Sequence, residues 1–211
     1  MLSSFKIGKI AGIEIGVHWT WLFIFVLITY SFAEGLLQEY YDEWTSAQRW
    51  VVAVVIAAVF FASILAHELS HSLVAKAKGI PVQDITLFVF GGVSHLGREA
   101  QSAQEEFQIA IVGPLTSLAI GAFFAALWLV LQFTAPQASA VMGYLAALNA
   151  MIGAFNMLPG FPLDGGRVFR SFVWARNRDL LAATKTASRV GEYLAYVLIA
   201  AGAVQILFGF F

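Results

Sequence analysis

Five stretches of this sequence, roughly 17–37, 50–78, 105–132, 140–158 and 186–209, run mostly apolar for about twenty residues or more. A helix rising about 1.5 Å per residue needs about 20 such residues to cross bilayer hydrocarbon. Inside that hydrocarbon every backbone amide must find its partner within the chain, so each stretch is expected to be a spanning helix. Composition agrees: 60% of the chain is hydrophobic and 12% charged, against about one quarter charged in soluble domains. A formal net charge of −1 leaves no concentrated basic face, which excludes a nucleic-acid partner. The absence of cysteine excludes disulfides and thiolate metal sites. The first nineteen residues, MLSSFKIGKIAGIEIGVHW, lack a small-residue cleavage site and read as retained.

Two interruptions stand out. GIPVQDITLFVFGGVSHLGRE is too short, and too rich in Pro, Gly and β-branched residues, to span; alternation through Ile85, Leu87, Val89 and Val93 suggests a strand or hairpin. In NMLPGFPLDGGRVFRSFVWARNRDL, Pro159, Gly160 and Pro162 break the fourth helix, and a short amphipathic helix is expected after Gly165. The expected fold is an all-α polytopic membrane protein, residues 1–211 forming one domain of five or six transmembrane helices, with a small membrane-associated β-hairpin between the second and third. The end of the chain, ILFGFF, has no polar tail, which suggests a further span. Lys6 and Lys9, Lys76 and Lys78, and Arg167, Arg170, Arg176 and Arg178 cluster in three regions expected to be cytoplasmic, the N-terminus among them.

The second span carries His67, Glu68 and His71. Histidines at i and i+4 share one helical face. His-Glu-x-x-His is the pattern of zinc hydrolases, in which two imidazoles hold the metal and the glutamate works on its water. Ionisable side chains are costly in a membrane helix and are functional there by default. A catalytic zinc takes three protein ligands, and the candidates for the third are His18, His95, Glu99, Glu105, Glu106 and Asp164. Glu105 and Glu106, among glutamines at the start of the third span, fit a solvated helix N-terminus. His95 fits a loop histidine, and His18, beside Trp19 and Trp21, an interfacial belt. Asp164 stands in irregular backbone at membrane depth, tolerated only against protein or a watery cavity. It can cap the following helix and still serve as a ligand.

The sequence His67-Glu68-Leu69-Ser70-His71 in a second span, with Asn156-Met157-Leu158-Pro159-Gly160-Phe161-Pro162-Leu163-Asp164-Gly165 after a fourth, resembles the prokaryotic branch of the site-2 proteases, intramembrane zinc metalloproteases. FGGVSHL and EEFQIAIVGPLTSLAIG extend the resemblance to nearly the whole chain. It implies one Zn2+ per chain on His67, His71 and Asp164, Glu68 as general base, and Asn156 assisting at the metal. It also implies a plasma-membrane protease whose substrate is the transmembrane helix of a single-pass membrane protein. Many relatives add a sixth span and a cytoplasmic regulatory domain.

A spanning substrate satisfies its own backbone and must unwind before it is cut. The segment Ile85–Gly92 offers an exposed strand edge for β-augmentation, with Phe90, Gly91 and Gly92 as expected substrate contacts. Gly113, Ser117, Gly121 and Ala125 form a small-residue stripe expected to pack the third span on the second, and Asn149 reads as interhelical glue. Two other readings remain open: a metal transporter whose His and Asp line an ion path, and a prenyl-processing type of membrane metalloprotease with Glu105 or Glu106 as third ligand.

Overall fold

The computed structural model describes residues 4–89 and 91–209. Its order is β1 (Ser4–Ile10), β2 (Ile13–His18), α1 (Trp19–Ser31), a π-helical turn (Phe32–Leu36), α2 (Leu37–Tyr40), α3 (Ser46–Ala77), β3 (Val82–Phe88), β4 (Gly91–Leu96), α4 (Ala103–Leu131), α5 (Pro136–Asn156), α6 (Asp164–Asn177) and α7 (Leu180–Phe208). Five helical stretches are long and apolar enough to cross a membrane: Trp19–Tyr40, Ser46–Ala77, Ala103–Leu131, Pro136–Asn156 and Leu180–Phe208. The chain is therefore a multi-pass membrane protein, and Phe23, Val26, Leu129, Val197 and Ile206 point outward as lipid-facing side chains do.

α3, α4, α5 and α7 start where local chemistry allows, a few residues before the apolar runs. Thr45 and Gln48 form a reciprocal capping box that starts α3 at Ser46. Ser102 caps α4 through Glu105 N–H, and Pro136 occupies the first turn of α5, where a missing N–H costs nothing. Asp179 accepts from Ala182 N–H and starts α7 six residues ahead of its apolar stretch.

The hairpin expected between the second and third spans is present as β3 and β4, and it belongs to a four-stranded sheet in the order β1-β2-β3-β4. The two additional strands come from the N-terminal segment. Ile10 faces Ile13 across Ala11 and Gly12, both at positive φ (51° and 79°), which is the left-handed pair of a tight hairpin turn. β2 then pairs in parallel with β3, Ile15 opposite Ile85 and Val17 opposite Leu87, and α1 to α3 form the crossover. Ile13, Ile15 and Ile85 bury one sheet face against Leu65 and Leu69 of α3, the turns that carry the histidine motif. Lys76 Nζ donates to the Ala11 carbonyl at 2.6 Å, fastening the hairpin turn to the end of α3. The sheet is thus fixed beside the motif, with β1 and β4 as its edge strands.

Candidate metal centre

His67 and His71 lie on one face of α3, both buried, and Asp164 reaches them from the first turn of α6. Asp164 Oδ2 is 3.0 Å from His67 Nε2 and 3.1 Å from His71 Nε2, and the two Nε2 atoms are 3.2 Å apart. Asp164 does not cap α6; the N-cap is Leu163, and the carboxylate is spent on the imidazoles.

The far side of each imidazole is also occupied. His71 Nδ1 donates to the Ile109 carbonyl at 2.6 Å, which fixes the proton on Nδ1 and leaves a lone pair on Nε2. His67 Nδ1 is 2.9 Å from Ser117 Oγ. His71 Nε2, an Asp164 carboxylate oxygen and, in the tautomer that carries its proton on Nδ1, His67 Nε2 converge as acceptors, an arrangement that suits a cation. Ligands about 2.0–2.1 Å from a tetrahedral ion stand about 3.3 Å from one another, close to the spacings found here. The donor set of two imidazoles and a carboxylate thus fits zinc.

α4 shapes this centre from behind. A methyl group on Gly113 would overlap His71 Nε2 and His67 Nε2, so only glycine lets α4 approach so closely. The small-residue stripe divides its work: Gly113 and Ser117 face the histidines, whereas Gly121 packs against Ala146, Asn149 and Ala150 of α5 rather than against α3. Asn149, fully buried, bonds within its own helix to the Leu145 carbonyl.

Glu68 faces a cavity of about 810 Å³ with His67, His71, Asp164, Asn156 and Arg167 on its polar side. Ile24, Ile28, Phe60, Met151 and Phe155 line its apolar arm. Ser72 Oγ donates to Ser94 Oγ at 3.1 Å, and Ser94 Oγ donates to Glu68 Oε2 at 3.3 Å, a relay from α3 through β4. Gly92 of β4 stands so close to Glu68 that a methyl there would overlap Glu68 Cγ. Asn156, the last residue of α5, donates one Nδ2 hydrogen to the Ile152 carbonyl at 3.0 Å and keeps its second hydrogen. Gly91, Gly92 and Ser94 also line the cavity; Phe90 lies outside the described residues.

The other candidates for a third ligand lie elsewhere. His18 is buried and caps α1 through Thr20 N–H, rather than sitting in an interfacial belt. His95 belongs to β4 and pairs with Asp84 at 3.1 Å. Glu105 pairs with Arg98. Glu106 is not solvated: it is fully buried and accepts from Arg170 Nε at 2.8 Å and from a second Arg170 nitrogen. Arg170 also contacts Thr184 of α7 and covers the Phe161 ring at 5.1 Å. The contacts of Ser94 and Ser117 and the pairing of Glu106 with Arg170 were not legible in the sequence, since neutral hydroxyls and a distant ion pair carry no spacing signal.

A sequence model of peptidase family M50 matches residues 55–138 and 132–200. Rip3 of Mycobacterium tuberculosis, named as a zinc metalloprotease, is 40% identical over 211 residues, covering 99% of this chain and 53% of that protein. A protein of Synechocystis, also named as a zinc metalloprotease, is 37% identical over 209 residues, covering 98% and 54%. The chain thus spans about half the length of these two relatives. The solved structure of the site-2 protease from Methanocaldococcus jannaschii superposes with a TM-score of 0.64 at 30% identity, covering 97% of this chain and 87% of that one. With a family match that runs through both halves of the histidine-aspartate cluster, the chain belongs to peptidase family M50, the family of the site-2 proteases.

Proposed function

We propose that this chain is a zinc-dependent endopeptidase that cuts transmembrane segments of single-pass membrane proteins, with His67, His71 and Asp164 holding one zinc ion. The observation that carries the reading is the convergence of two imidazole nitrogens and a carboxylate oxygen, within 3.2 Å of one another, on a cavity that also holds the Glu68 carboxylate and residues of an edge strand. When bound, zinc supplies a Lewis acid that acidifies water and polarises a peptide carbonyl.

The chain's own residues do the rest. Glu68, beside the cluster, takes the proton of the attacking water and delivers it to the leaving amine. Ser94 holds the Glu68 carboxylate in place from β4. The unused Nδ2 hydrogen of Asn156 is available to the oxygen that gains charge as the peptide carbonyl is attacked. Unwound substrate pairs with the outer edge of β4, where Gly91 leaves room for its backbone and Gly92 lies against Glu68, and the apolar arm receives side chains still in their membrane setting. The basic residues Lys76, Lys78, Arg167 and Arg170, near the ligands in sequence, support an orientation in which the metal-bearing end faces the cytoplasm of a plasma-membrane protein. The ligand set also favours a protease over a transporter: the cavity beyond the metal is lined by apolar side chains rather than by an ion path.

The test is purified protein in micelles, assayed on a panel of single-pass membrane substrates with metal quantified. One zinc per chain is expected; dialysis against a chelator abolishes cleavage and one equivalent of zinc restores it. Full activity after removal of all metal overturns the reading. A second variant separates metal from base. Gly92→Ala pushes on Glu68 without touching the metal-facing atoms, and a displacement of this size is expected to lower kcat/KM by about 10²-fold at unchanged zinc content.

A further inference from the structure

Ser117 sits in a stripe of small residues where helix packing alone would account for it, but its hydroxyl does something packing does not require. Helical Ser and Thr hydroxyls commonly turn back to a carbonyl three or four residues earlier. Ser63, Ser70, Ser171, Thr184 and Thr186 all do so in this chain. Ser117, fully buried, instead crosses to the neighbouring helix, and the one hydrogen bond it makes among the described residues is with His67 Nδ1 at 2.9 Å.

The counterpart on His71 is a backbone carbonyl. Ile109 O, eight residues before Ser117 on the same face of α4, binds His71 Nδ1 at 2.6 Å. Gly113 lies midway and supplies the space in which both rings fit. α4 thus presents a carbonyl oxygen and a hydroxyl, about two helical turns apart, to two imidazoles one turn apart on α3. His71 is held by a group that no side-chain substitution removes. His67 is held by a hydroxyl that a substitution does remove.

We infer that Ser117 is a positioning residue of the metal centre: it accepts the Nδ1 proton of His67 and so directs the His67 Nε2 lone pair toward the ion. The inference rests on the zinc reading above. Hydrogen bonds of this kind set the tautomer and ring orientation of a histidine ligand, and their loss weakens metal binding by about 10- to 100-fold.

Threonine and valine at this position have the same shape and differ only in the hydroxyl, so Ser117→Thr against Ser117→Val isolates the hydrogen bond from any crowding. Zinc affinity is measured on the full chain in micelles by competition with a chromophoric chelator. The visible spectrum of the cobalt(II)-loaded protein reports ligand geometry. Ser117→Val is expected to bind zinc about 10- to 100-fold more weakly than Ser117→Thr, with altered cobalt bands. Ser117→Ala, which adds no bulk, is expected to follow valine, and wild type to follow threonine. Equal affinities and identical spectra for the hydroxyl and non-hydroxyl members of both pairs overturn the inference while leaving the zinc reading intact. A wild-type chain that binds no zinc overturns both.

Discussion

Glu68→Gln is expected to lose about 10²- to 10⁴-fold in proteolysis, the usual contribution of a general acid-base group, while keeping one zinc per chain. Glutamine preserves the size of the side chain and its capacity to accept from Ser94, so neither the Ser72–Ser94 relay nor the histidines should move. What it loses is the ability to take a proton from water and return it to the amine. Single-turnover cleavage of a purified membrane substrate, with zinc measured on the same sample, checks both halves. Wild-type cleavage by a zinc-loaded variant would remove Glu68 from the mechanism. Loss of zinc would instead mean that Glu68 helps to build the site.

The second large effect lies away from the cavity. Arg170→Met takes from the fully buried carboxylate of Glu106 its hydrogen-bonded partner and leaves only the more distant Arg167, at 3.9 Å. Breaking a buried ion pair from one side costs about 3–5 kcal/mol, a sizeable part of the roughly 5–15 kcal/mol by which folded proteins are stable. Since this pair ties α6 to α4, and α6 begins with Asp164, the variant should also release zinc more readily. Replacing both partners by apolar residues, Glu106→Leu with Arg170→Met, is expected to recover most of the stability, because the desolvation of both charges is then avoided. Helical circular dichroism through thermal unfolding in micelles, with zinc release followed in parallel, reads both effects. An Arg170→Met chain that unfolds and holds zinc like wild type would show that α6 is anchored by other contacts.

The parts of this molecule that can be read from its sequence are those written in local pattern. Long apolar runs gave the five spans to within a few residues at most ends, because bilayer thickness fixes their length. The four-residue spacing of His67 and His71 announced a shared face, and the prolines around Asp164 announced a break. The rest depends on partners far along the chain. The segment from Ser4 to His18 carries only one short turn signal at Ala11-Gly12, and β2 becomes part of a sheet by pairing with β3, some seventy residues later. Glu106, flanked by glutamines, resembles a solvated first turn until Arg170 arrives from α6. Ser117 looked like a spacer because a hydroxyl shows its purpose only when His67 is beside it.

The free edge of β4 has a consequence for where a substrate would be cut. β3 and β4 follow directly from α3, the helix that carries the histidines, and β3 packs on that helix while Ser94 of β4 bonds to Glu68. A peptide paired with that edge can slide only in steps of two residues without turning every side chain to the opposite face. If substrate docks there as proposed, strand and metal site would act as a ruler: the bond presented for hydrolysis would be counted off from the residue against Gly92, and alternative cuts in one substrate are expected an even number of residues apart.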